Sequence, residues 1–281
     1  MVKLNKPNFI YCGFPKSGST WLYKILKNHK EVYVPEVKEI FYFDRYFNKG
    51  YNWYNNFYSK LNKEHKIAID ISHDYVFDKQ VPRRIYNTLG EDLKIGFILR
   101  NPFDYSYSQY LYLKKYGFTD SNFLDTVKKY DYITRTSNYA DYLSEYFKYF
   151  NTDVIKIWYF NELLEDPCAF AKKIFADLDL SDVDYDYSLV AKKYNKAKAA
   201  KYKHLSKFIK FGAQTSRNLG LYKLITFLKD TEILHFLYKE ADNHKMTIDD
   251  YMFLKPKYIE YIENLELLLD KDLNDWKTFD Y

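Results

Sequence analysis

The chain has 281 residues, 47% hydrophobic and 21% aromatic, which is enough to bury a sizeable core and excludes a disordered segment. Net charge is only +5, and of 43 basic residues six are arginine, so the surface is a lysine surface rather than an arginine-rich nucleic-acid face. Cys12 and Cys168 make no disulfide framework, Met1–Pro7 lacks the apolar stretch of a secretory leader, and no apolar run approaches the ~20 residues that span a membrane. A soluble, cytoplasmic chain is therefore expected. In chain order, Asn8–Gly13 reads as a strand and Thr20–His29 as an amphipathic helix. Lys66–Ile71 is a second strand, followed by a helix near Val81–Leu89. Leu93–Leu99 is a third strand, and Pro102 opens a helix that runs to about Tyr116. Ser137–Phe150 reads as helix, Asp153–Trp158 as a fourth strand, and Asn161–Pro167 leads into a helix ending near Leu178. From Ser181 onward no strand is expected, and the chain closes with a helix over Ile259–Leu273. Alternating strands and helices predict an α/β fold with a central parallel sheet flanked by helices and a helical C-terminal third. No linker or repeat divides it, so one domain is expected over 1–281, with an α/β core over 1–180 and a helical closing region over 181–281.

The most informative stretch is Gly13-Phe14-Pro15-Lys16-Ser17-Gly18-Ser19-Thr20-Trp21. A strand, a loop of small residues and a helix start together form an anion cradle. Backbone N–H groups and the positive end of the helix dipole both favour negative charge there. Gly13, Gly18 and Thr20 match the triphosphatase pattern G-x-x-x-x-G-K-[ST], but Ser19 stands at the lysine position and the lysine is Lys16. A second anion signal follows the third strand, Arg100-Asn101-Pro102-Phe103-Asp104-Tyr105-Ser106-Tyr107-Ser108. Arg100 caps the strand, and Ser108 lies about two turns into the helix that Pro102 opens, at ~3.6 residues per turn.

The P-K-S-G-[ST]-T-W loop resembles the 5′-phosphosulfate loop of sulfotransferases that use 3′-phosphoadenosine 5′-phosphosulfate (PAPS). The R-N-P-x-D-x-x-x-S-x-Y segment resembles their 3′-phosphate motif. Weaker similarities to the bacterial and heparan-type branch run through Tyr139-Ala140, Asn161–Pro167 and the segment ending at Trp276. The resemblance implies a nucleotide-kinase-like P-loop fold and PAPS as donor. It assigns Pro15, Lys16, Ser17, Gly18, Ser19 and Thr20 to the phosphosulfate, Arg100 and Ser108 to the 3′-phosphate, and Trp21 to the adenine; a plain core role for Trp21 is equally open. The lysine-dense run Lys192–His204 matches the position of a basic closing loop, with Lys201 and Lys203 as candidates against a solvated helix face.

Two residues compete for the acceptor's proton. Lys38-Glu39-Ile40-Phe41-Tyr42-Phe43 resembles the K-E-x-x-F-F segment whose glutamate is the base in the heparan branch, which implies Glu39. His73, just past the second strand, is the rival, and an imidazole near ~6.5 suits base work at neutral pH. Its context Asp70-Ile71-Ser72-His73-Asp74-Tyr75 fits the E-K-[ST]-P-x-Y form better than the cytosolic T-H-x-P, which favours Glu39. Where that form carries a helper lysine this chain has Ile71, leaving Lys16 alone on the leaving-group side. The histidines show no metal-ligand spacing, so no metal is expected. The function implied is metal-free, in-line sulfuryl transfer to a hydroxyl or amine of a glycan, lipid, phenol or other small molecule, with no nucleic-acid partner. A kinase-like phosphotransferase and a catalytically silent nucleotide-binding protein are the alternatives.

Overall fold

A computed structural model of the protein describes residues 6–190, 198–200, 238–240 and 246–279. These fall into two units, one built from residues up to 100 and from 140 to 190, the other from 101–139 and the described residues beyond 197. The elements begin with β1 (Phe9–Gly13), α1 (Ser19–Lys27), β2 (Val32–Tyr33), α2 (Tyr51–Asn55), β3 (Ile67–Ile71), α3 (Val81–Leu89) and β4 (Lys94–Leu99). Then come α4 (Pro102–Lys115), α5 (Phe123–Lys129), α6 (Tyr132–Arg135), α7 (Tyr139–Phe147), β5 (Ile155–Tyr159), α8 (Phe160–Glu165) and α9 (Pro167–Asp177). The chain continues through β6 (Lys198–Ala200), β7 (Tyr238–Glu240) and α10 (Ile248–Leu269).

The first unit holds a five-stranded parallel sheet in the order β2-β3-β1-β4-β5. β1 runs through its middle with all five residues buried, as a parallel strand covered on both faces requires. Close packing at the centre depends on Gly96 of β4. A Cβ there would lie 2.7 Å from the Phe9 ring and 2.9 Å from Trp158, whose rings meet edge to face. The register pairs Tyr11 with Ile71 and Leu99 with Tyr159, so β1, β3, β4 and β5 all end at one edge. Phe14–Gly18, Ser72–Asp74, Arg100 and Phe160 leave the sheet from that carboxyl edge, where open α/β sheets bind ligands.

In the second unit, Asn101 caps α4 by accepting the Phe103 N–H at 3.0 Å, and Pro102 occupies the first turn. Phe103 packs between the Tyr251 and Tyr258 rings of α10, and the Ser106 hydroxyl bonds Ser137 and Tyr258. The expectation of no strand after Ser181 is corrected by β6 and β7, a short antiparallel pair. Three-residue strands whose partners lie some forty residues apart carry no periodicity to read. α10 also begins earlier than the expected Ile259, because Pro256 sits inside it, and Thr247 and Asp250 form a capping box at its true start.

Candidate active site

The Phe14–Gly18 loop runs from the end of β1 into the start of α1. Gly18 is the N-cap of α1 at φ +91°, a left-handed conformation that favours glycine, and an added Cβ would sit 3.2 Å from Leu163. Gly18 has no side chain to cap the helix and the first turn carries no acid, so the positive end of α1 faces the loop unneutralised by its own residues. The Ser17 hydroxyl is buried with no hydrogen-bond partner among the described residues, the kind of orphaned donor that a bound anion satisfies. Arg100, at the end of β4, donates to the Lys16 carbonyl at 3.3 Å and lies over the Phe160 ring at 4.7 Å.

The segment carrying Glu39 reaches the same edge by a different route. It has no helix or strand of its own and is strapped to the end of β3. Glu39 N–H donates to the Ile71 carbonyl at 3.0 Å, Phe41 N–H to the Ser72 hydroxyl at 3.1 Å, and Phe43 N–H to the Tyr75 hydroxyl at 3.3 Å. Beneath these straps lies Asp70, 1% exposed, whose carboxyl accepts from Ser72 at 2.7 Å, Tyr54 at 2.8 Å and Tyr75 at 2.9 Å. Burial raises the Asp70 pKa, and the three hydroxyl donors oppose that rise. Lys16, Glu39 and Phe41 all have positive φ, at 65°, 69° and 54°. Such backbone costs on the order of 1–3 kcal/mol per non-glycine residue and persists only where its surroundings impose it.

Glu39 and His73 are neighbours rather than distant rivals. His73 Nδ1 is 3.5 Å from Glu39 Oε1, and its Nε2 is 3.5 Å from Asp74 Oδ1. Burial lowers the His73 pKa, against the opposing pull of Asp74 and Glu39. Arg45 pairs with Asp74 and with Asp44, and its guanidinium covers the Phe41 ring at 3.9 Å. Asp44 is pushed up to about 7 by burial, against the lowering effect of Arg45.

Pro15, Lys16, Ser17, Gly18, Ser19, Thr20, Trp21, Glu39, His73 and Arg100 all belong to the first unit, whereas Ser108 lies on α4 in the second. Lys201 and Lys203 lie outside the described residues. Trp21 is a core residue, 5% exposed, stacked on Phe170 at 5.4 Å and donating from Nε1 to the Val190 carbonyl at 3.0 Å. Sequence reasoning missed Lys38. Its Nζ lies 3.2 Å from Thr20 Oγ1, 3.5 Å from Ser19 Oγ and 3.4 Å from Glu39 Oε1, so a second lysine reaches the loop where Ile71 seemed to leave none. Its place beside Glu39 was the only signal.

An α/β protein whose glycine-bearing loop joins the central parallel strand to the following helix is the class that this fold and site define. The sequence model of the sulfotransferase domain matches residues 6–224, and the chain belongs to that family. The membrane-associated sulfotransferase kil1 of Dictyostelium discoideum is 32% identical over 106 residues, a stretch covering 37% of this chain and 22% of that protein. A sulfotransferase from Alicyclobacillus acidocaldarius has the same fold, with a TM-score of 0.67 and 19% identity over 97% of this chain and 99% of its own. A mouse sulfotransferase solved with adenosine 3′,5′-bisphosphate (PAP) aligns over 68% of this chain and 67% of its own, with 18% identity and a TM-score of 0.44. Among the described residues no helix is long and apolar enough to cross a membrane, and no cluster of acids, histidines and cysteines could hold a metal.

Proposed function

We propose that the chain is a PAPS-dependent sulfotransferase acting on a hydroxyl or amine acceptor in the cytoplasm and releasing PAP. One observation supports this above all: the anion loop, with its orphaned Ser17 hydroxyl, stands at the sheet edge to which Glu39 is also strapped. The loop's donors and lysines fit a phosphate-type anion, and the R-N-P-x-D-x-x-x-S motif assigns Arg100 and Ser108 to a second phosphate. Bound PAPS supplies a sulfuryl group already activated by its anhydride link to phosphate. In the reaction the S–O bond to the 5′-phosphate breaks, its electron pair stays on the phosphate oxygen, and a new bond joins sulfur to the acceptor oxygen or nitrogen. Glu39 takes the acceptor's proton, with the His73 ring 3.5 Å from its carboxylate. Lys16 offsets the negative charge that grows on the departing phosphate oxygen. Position and charge do the work, as in phosphoryl transfer. Glycans, phenols and lipid headgroups all offer a suitable nucleophile.

Thermal unfolding with added nucleotide tests the donor. PAP at ~100 times its dissociation constant adds roughly 2.7 kcal/mol of stability and raises the melting temperature. ATP with magnesium is expected to do much less. Stabilisation by ATP-magnesium and none by PAP would replace this reading with the phosphotransferase one.

A further inference from the structure

Lys38 has no part in the mechanism above, yet it bridges the two halves of the site. Its ammonium lies 3.2 Å from Thr20 Oγ1 and 3.5 Å from Ser19 Oγ on one side, and 3.4 Å from Glu39 Oε1 on the other. The side chain is 18% exposed and passes 5.9 Å from the centre of the Tyr23 ring, so it is a sheltered cation rather than a solvated surface lysine. The next residue is pinned to the Ile71 carbonyl, and Phe41 to Ser72, which fixes where Lys38 emerges. A lysine ammonium only donates, so Ser19 and Thr20 must accept from it with their oxygens. Each hydroxyl proton is then left to donate elsewhere, and each O–H is polarised by the cation behind it. Both hydroxyls sit in the first turn of α1, where the helix already favours an anion.

We infer that Lys38 is a second cation of the anion loop, making Ser19 and Thr20 strong donors to the nucleotide's 5′-phosphate while its ion pair aims the Glu39 carboxylate. This rests on the nucleotide reading above and adds the residue that couples the donor end of the site to the base. Lys38 binds at the 5′ end alone. The ends of the nucleotide can therefore be separated by choice of ligand, because adenosine 3′-monophosphate has no 5′-phosphate to contact.

Calorimetric titration of the full chain with PAP and with adenosine 3′-monophosphate tests the inference in wild type, Lys38→Gln and Lys38→Arg. Lys38→Gln keeps a polar side chain with two N–H donors, one atom shorter than lysine, and removes the charge. It is expected to weaken PAP by about 10–100-fold, the worth of one charge-assisted contact, and to leave adenosine 3′-monophosphate unchanged. Lys38→Arg, which restores the charge and also serves if the glutamine variant does not fold, is expected to recover most of the PAP affinity. An equal loss for both ligands would make Lys38 a structural residue and overturn the inference, as would no loss for either. A wild-type chain that binds adenosine 3′-monophosphate and PAP equally would also overturn it. Failure of the wild type to bind PAP at all would instead overturn the nucleotide reading beneath it.

Discussion

The anion loop and the Lys38–Phe43 segment meet at one sheet edge, but they are held there by opposite means. The loop is local: a buried strand ends, a glycine turns the chain at φ +91°, and a helix begins, all within ten residues. The segment is long-range. It has no regular structure, and its backbone is fixed by Ile71, Ser72 and Tyr75, some thirty residues away, over the buried Asp70. Both place a charged residue of the proposed mechanism on left-handed backbone, Lys16 in one and Glu39 in the other. A helix start fixes charge cheaply. A strap needs a buried polar hub beneath it.

The sharpest way to break this pairing lies on the loop side. Lys16→Ala is expected to lower the transfer rate by ~10²–10³, the usual cost of losing one preorganised contact to developing charge, with a much smaller loss of PAP affinity. PAP keeps the former bridging oxygen as one of three terminal phosphate oxygens that share a charge the loop's other donors also hold, so losing one lysine costs its binding less. Steady-state rates set beside calorimetric PAP titration check it, and equal losses in both would remove the distinction between holding the anion and stabilising its departure.

A smaller effect sharpens the segment side. Asp44 has a native-state pKa raised to about 7, against ~3.9 for an unfolded aspartate. The native chain therefore holds this proton more tightly than the unfolded one. The stabilisation is complete below about pH 4 and is lost as pH rises through about 7. Asp44→Asn does not titrate, so its melting temperature relative to wild type should climb from about pH 4 to about pH 8. A difference that stays constant over that range would mean that Asp44 is not held in a raised state.

The contrast between loop and segment also explains what the sequence revealed. Gly13, Lys16, Gly18 and Thr20 could be read because their spacing along the chain is their spacing in space. Asn101-Pro102 likewise announced the start of α4, and the four longer strands lie within two residues of their expected starts. The role of Lys38 is not legible in its motif, because its contacts to Ser19 and Thr20 span eighteen or nineteen residues and no periodicity reports them. Asp70 read as one more residue of a strand, and its three hydroxyl partners became visible only when Tyr54 and Tyr75 were brought onto it. Glu39 and His73 are thirty-four residues apart in sequence and compete there for one role, whereas the fold makes them neighbours. Trp21 was balanced between core and adenine, and the packing of Phe170 and Val190 around it cannot be read from the nine residues of its own helix.

The most direct test of PAPS-dependent transfer with Glu39 as base is a screen of hydroxyl and amine acceptors with radiolabelled PAPS, run in parallel on wild type and Glu39→Gln. Glutamine keeps the size and polarity of Glu39 but cannot take a proton. Wild type is expected to move label to at least one acceptor, and Glu39→Gln, at unchanged PAP affinity, to lose ~10²–10⁴ of that rate. Transfer that persists in Glu39→Gln and disappears in His73→Ala would give the proton to the histidine and contradict the assignment made here.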